Sequence, residues 1–154
     1  MISDYFDYYR LAAFLSERTS ERIGIVMGVP SLIDLFDEQN HAQLQGGILE
    51  SFGRLFKNDL RVYVYPLRPS ESDELETVDN LHVDVAVRPL YDYLATRGSF
   101  VPLDNYCEGY LSIFSRDVLR RIAEGDETWE PMVPPGVADL IKKRGFFGCV
   151  RSPV

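Results

Sequence analysis

The residues best placed to do chemistry lie near the C-terminal end. Ser115, Arg116, Asp117, Arg120 and Arg121 stand at the head of an apolar-periodic run of Val118, Leu119 and Ile122. The spacing predicts a helix with Ser115 as its N-cap, Asp117 in its first turn and Gly125 as its stop. The first N–H groups of a helix have no intrahelical acceptor, and nearby guanidinium groups add charge and paired donors. Together they suit a phosphate. The same residues also fit an ordinary capped helix with a solvated basic face, and both readings stand at this point.

These residues need neighbours to position them. Leu111 and Ile113 read as the end of a buried strand leading into that helix. A second helix opens on Pro134 and Pro135, buries Val137, Leu140 and Ile141, and ends on Lys142, Lys143 and Arg144 with Gly145 as its cap. The end of the chain, 106–150, is thus strand, turn, helix, loop, helix.

A second ligand edge is legible nearer the start. The continuous apolar run 23–27 is bounded by Gly28 and Pro30, which suits a parallel strand buried on both faces. Ser31 then caps a helix through Phe36, with Asp34 at the capping-box position. Open α/β sheets bind ligands beyond the carboxyl ends of their strands, so Gly28 and Ser31 are candidates.

The remaining elements complete an α/β order. Residues 4–18, within an N-terminal segment 1–22, form an amphipathic helix with Phe6, Tyr9, Ala13 and Phe14 buried. Tyr5, Phe6, Tyr8 and Tyr9 read as a core or partner-facing stripe rather than a base-stacking platform. A helix over 46–56 buries Ile48, Leu49, Phe52, Leu55 and Phe56, and a strand follows over 60–65. Arg68 opens an acidic loop, 68–80, that carries Pro69, Ser70 and Ser72. Alternation over 81–87 predicts a strand with one wet face. A helix over 89–96 and a strand over 100–103 return to the terminal region. This order predicts one domain over 1–154, a three-layer Rossmann-like α/β fold with a mostly parallel sheet.

Composition narrows the function classes. A formal charge of −8 over 154 residues argues against a nucleic-acid surface, which needs a basic stripe. Cys107 and Cys149 are too few and too poorly spaced for zinc, and read as buried thiols of a cytoplasmic protein. No run approaches the roughly 20 apolar residues of a membrane span. The acidic, aromatic start is unlike a signal peptide. His41, in a polar turn, and His82, on a strand edge, read as surface or satisfied polar residues, with no catalytic or metal spacing.

Several stretches resemble the nicotinate and nicotinamide mononucleotide adenylyltransferases. Phe114 to Arg120, then Gly125, then Met132-Val133-Pro134, Val137, Leu140, Ile141 and Gly145-Phe146-Phe147, are similar to that family's C-terminal motif. There the motif runs I-S-S-T-x-I-R, then Gly, then (L/M)-V-P-x-x-V-x-x-Y-I-x-x-x-G-L-Y. GVPSLIDLF resembles the family's G-x-D-S-L segment, with Pro30 where Asp is usual. The run 48–69 resembles its helix–strand step into an Arg-Pro loop, with Arg68 as the matching Arg.

The resemblance implies ATP with magnesium as co-substrate, and phosphate contacts at Ser115, Arg116 and Arg120. It also implies mononucleotide-side contacts at Gly28, Ser31 and Arg68. It corresponds to the family's C-terminal half, because the H-x-G-H segment whose histidines face the phosphates has no counterpart here. The expectation is therefore an adenylyltransferase-like part of NAD biosynthesis, truncated or split, with no catalytic residue of its own. An N-terminal partner domain or a second copy would complete it. The alternative is a non-catalytic nucleotide-binding or protein-interaction module.

Overall fold

A computed structural model describes residues 7–69 and 74–149. The chain divides into two compact units, 1–106 and 107–154. Among the described residues no helix is long and apolar enough to cross a membrane.

The first unit is a mixed α/β structure around a three-stranded parallel sheet. Its elements are α1 (Tyr8–Ser16), β1 (Gly24–Gly28), α2 (Val29–Leu35), α3 (Gly47–Leu55), β2 (Arg61–Tyr65), α4 (Arg88–Thr96) and β3 (Phe100–Pro102), with a 3-10 turn at Glu38–His41. The strands lie in the order β1-β2-β3. Gly24 pairs with Arg61 and Gly28 with Tyr65, while Val62 pairs with Phe100. The helices between successive strands are the crossovers that parallel pairing requires.

Register decides which side chains make the core. Ile25, Met27, Val62, Val64 and Phe100 share one face, and all are buried with Leu32, Leu35, Phe52 and Leu55 from the helices. Phe36 sits at the centre of an aromatic group, 4.8 Å from Phe52 and 5.3 Å from Tyr91, and Tyr91 stacks on Phe100 at 5.3 Å. Such pairs add to plain area burial. The opposite face differs from expectation. β1 is not buried on both sides, because Val26 is 66% exposed and its pairing partner Tyr63 is only half-buried.

Other expectations also change. The alternating run 81–87 is not a strand. The Asp84 carboxylate accepts the Ala86 N–H at 2.8 Å, and the Asp84 carbonyl accepts from Val87 and Arg88, so the chain turns directly into α4. Leu81 and Val87 are buried while Val85 is exposed, so the alternation reflected a turn. Leu49 is exposed, and α3 buries Ser51 instead. In α1 the buried positions are Tyr9 and Ala12, Phe14 is half-buried and Ala13 is exposed. Tyr8 and Tyr9 both pack into the core, whereas Tyr5, Phe6, Ser70 and Ser72 lie outside the described residues.

The second unit is small and helical, with α5 (Ser115–Glu124) and α6 (Val137–Arg144). Val118, Ile122, Trp129 and Ile141 form its own core, with Met132, Val133 and Val137 packed against them. Leu119 and Leu140 were expected inside but are exposed. Both helices end on a left-handed glycine, Gly125 (φ 72°) and Gly145 (φ 65°), as their spacing predicts. The expected strand at Leu111 and Ile113 is a 3-10 turn over Glu108–Tyr110. The Glu108 carbonyl accepts from Leu111 and the Tyr110 carbonyl from Ile113. Cys107 is exposed and Cys149 half-buried, so neither is the buried thiol expected, and neither is in a disulfide.

Candidate functional site

The N-terminus of α5 carries the residues singled out for phosphate. The N-cap is Phe114, in extended conformation, and no side chain caps the helix. Ser115 is therefore the first helical residue rather than the cap. Its exposed hydroxyl is followed by Arg116 and Asp117 in the same turn. The helix begins one residue early because Phe114, not Ser115, holds the extended backbone and accepts the Val118 N–H at 3.1 Å.

Arg120 stands one turn on, and it is already engaged. Its Nη1 donates to Glu124 at 2.9 Å, and Asp117 lies 3.8 Å from its Nη2. Both ion pairs are exposed, so their net worth is small. Arg121 turns away from this end. It hydrogen-bonds Thr128 and pairs with Asp126 at 3.5 Å, tying α5 to the loop that follows. The Asp126 carboxyl is held below its usual range, first by the hydrogen bond from the Thr128 hydroxyl and next by the Thr128 N–H, with Arg121 adding to both. The site thus offers uncapped helix N–H groups, one hydroxyl and two guanidinium groups, set against the negative charge of Asp117.

The first unit holds the other candidates. Gly28 closes β1 and is the N-cap of α2, again without a side-chain cap. Ser31 does not cap that helix, because α2 begins at Val29 with Pro30 in its first turn. Ser31 is half-buried inside it. Arg68 follows β2, just beyond an isolated bridge between Leu67 and Glu76. Since Gly28 pairs with Tyr65 at the end of β2, Gly28 and Arg68 share the carboxyl edge of the sheet. Ser115, Arg116 and Arg120 belong to the other unit.

Sequence reasoning missed one residue. His41 is 5% exposed, at the end of the 3-10 turn, and not on the surface. Its Nε2 lies 2.8 Å from the Leu35 carbonyl, and its Nδ1 is buried with no hydrogen-bond partner. His41 lines a cavity of about 310 Å³ with Ser31, Asp34, Ser51, Asp7 and Tyr8. No sequence signal marked it, because a His between Asn40 and Ala42 reads as a polar turn. His82 is exposed, as expected for a polar residue, although its segment is not a strand.

Among the described residues, no three His, Cys, Asp or Glu side chains come together in a way that could hold a metal ion. Comparison with known proteins returns no matching family model, no matching curated protein and no matching solved structure.

Proposed function

We propose that this chain is a nucleotide-binding α/β protein related to the mononucleotide adenylyltransferases, and that it holds nucleotide phosphate at the N-terminus of α5. The observation that carries the reading is the uncapped start of that helix, with Ser115, Arg116 and Arg120 grouped on it. Backbone N–H groups there have no side-chain acceptor, and an anion satisfies them while meeting the positive end of the helix dipole. Arg120 reaches the anion by exchanging an exposed ion-pair contact, with Glu124 at 2.9 Å or Asp117 at 3.8 Å, for the ligand. On the resemblance alone, Gly28, Ser31 and Arg68 of the first unit are proposed as contacts for a mononucleotide. The ligand is ATP, with its magnesium, or an NAD-like dinucleotide. The same reading puts the chain in the cytoplasm, where ATP is available.

Binding without turnover is part of the proposal. In-line transfer at a phosphate needs several charge-neutralising donors converging on the reacting group, and losing one commonly costs about 100- to 1000-fold in rate. The sequence has no H-x-G-H segment, His41 is buried in a cavity and Arg120 is engaged by Glu124. Calorimetric titration of ATP, nicotinate mononucleotide and NAD into the chain tests the binding, with pyrophosphate release as the test of turnover.

A second reading is favoured by the face of the sheet that bears Val26, Tyr63 and Val101. Parallel sheets are normally covered on both faces, and Val26 is 66% exposed. On this reading the three-layer Rossmann-like arrangement is completed by a partner domain that covers this face. Val26→Lys would then abolish association in sedimentation while leaving the thermal melt of the chain unchanged.

A further inference from the structure

We infer that the cavity around His41, whose wall includes the mononucleotide candidate Ser31, binds a small organic ammonium ligand instead, separate from the phosphate site proposed on α5. The cavity wall contains a buried acceptor. A carbonyl can only accept, so Nε2 of His41 carries a proton toward the Leu35 oxygen at 2.8 Å, and in that imidazole tautomer Nδ1 is a lone pair. That lone pair is buried and unpartnered. An unmet polar atom in a side chain only 5% exposed is costly unless something supplies the missing donor.

The rest of the lining asks for the same kind of ligand. Asp34 and Asp7 bring carboxylates to the cavity, Asp7 also pairing with Arg10 at 3.0 Å, and Asn40 is part of its wall. The Asn40 amide nitrogen donates to the Asp34 carbonyl at 2.7 Å, so the amide oxygen is left as an acceptor. The Tyr9 hydroxyl already accepts from Arg10 Nε at 3.1 Å. Among the described residues, neither Lys nor Arg is part of the lining, and Arg10 touches it only at the Asp7 carboxylate and the Tyr9 hydroxyl. Acceptors and negative charge therefore prevail there, which repels phosphate and rewards a group with several N–H donors and a positive charge. A primary ammonium supplies both. At about 310 Å³ the cavity lies at the small end of ligand pockets, so the occupant is a short amine rather than a nucleotide.

The test is a titration of the isotopically labelled full chain, followed through the imidazole nitrogens of His41. The probes are 1,4-diaminobutane, the uncharged 1,4-butanediol and inorganic phosphate. The expected result is a saturating shift of the His41 Nδ1 signal with the diamine at millimolar concentration. The diol should bind about tenfold more weakly and phosphate should leave the signal unmoved. Asp34→Asn, which keeps size and removes charge, should weaken the diamine about tenfold. His41→Gln, whose amide can still reach the Leu35 carbonyl, should weaken it as well. A signal that does not respond to diamine up to roughly 10 mM overturns the proposal. So does an equal response to phosphate, or diamine binding unchanged in both variants.

Discussion

Arg120 donates to the Glu124 carboxylate at 2.9 Å, one turn further along α5, and so lies between Glu124 and Asp117 at the end proposed to bind phosphate. A ligand must draw the guanidinium away from one of them. Glu124→Gln removes the stronger competitor and is expected to tighten phosphate or ATP binding several-fold in calorimetry. Because the pair is exposed, the melting curve should change by no more than about 0.5 kcal/mol of stability. Weaker binding in the variant would mean that Glu124 orients Arg120 rather than competing for it.

The turn that ends α5 gives a backbone prediction. Gly125 has φ 72°, and a Cβ added there would meet nothing within 4 Å, so only conformational strain opposes a side chain. Gly125→Ala should cost about 1 to 2 kcal/mol in a denaturant titration. Gly53 lies inside α3, also with open space around it, and Gly53→Ala should instead stabilise by about 0.5 to 1 kcal/mol. Equal effects of the two would contradict the left-handed cap.

Tyr91 gives a pH dependence. Its hydroxyl donates to the Val78 carbonyl, and burial pushes its pKa from the usual 10.0 up to about 12. A raised folded pKa means that the unfolded chain loses the phenolic proton first. Stability from this group is therefore full below pH 10 and falls as pH rises from about 10 towards 12. Tyr91→Phe should remove that fall while lowering stability at neutral pH by about 1 kcal/mol for the lost hydrogen bond. Urea titrations at a series of pH values distinguish the two curves.

The sequence showed what local chemistry controls and missed what tertiary context controls. Three strands, the helix before the last of them and both glycine caps were legible because apolar runs and left-handed turns are written in consecutive residues. The open face of β1 was not, because GIVMG is apolar throughout and only pairing and layering decide that Val26 faces outward. For the same reason Leu140 fits a helical stripe by spacing but lies at its edge in α6. Part of the site was legible as well: Asp117 occupies the first turn and Arg120 the next, as read. The cap at Ser115 was misplaced by one residue, and His41 was hidden because its burial comes from α2 and α3 closing over a polar turn.

Burial separates two leucines that spacing treats alike. Leu32 is wholly buried in the first unit's core, and Leu32→Ala should cost about 2 to 5 kcal/mol. Leu140 is 48% exposed, and Leu140→Ala should cost less than about 1 kcal/mol. Thermal melts of the two variants side by side check the contrast, and a large loss in the second would place Leu140 in a contact that its exposure does not show.

Nucleotide binding at α5 is tested most directly by titrating magnesium–ATP into the full chain, with Arg116→Ala/Arg120→Ala as the paired variant. The predicted result is saturable heat with the native chain and affinity at least about tenfold weaker in the variant, whose melt is otherwise unchanged. A well-folded native chain that gives no heat with ATP, nicotinate mononucleotide or NAD, or a variant that binds as tightly as the native chain, would contradict it.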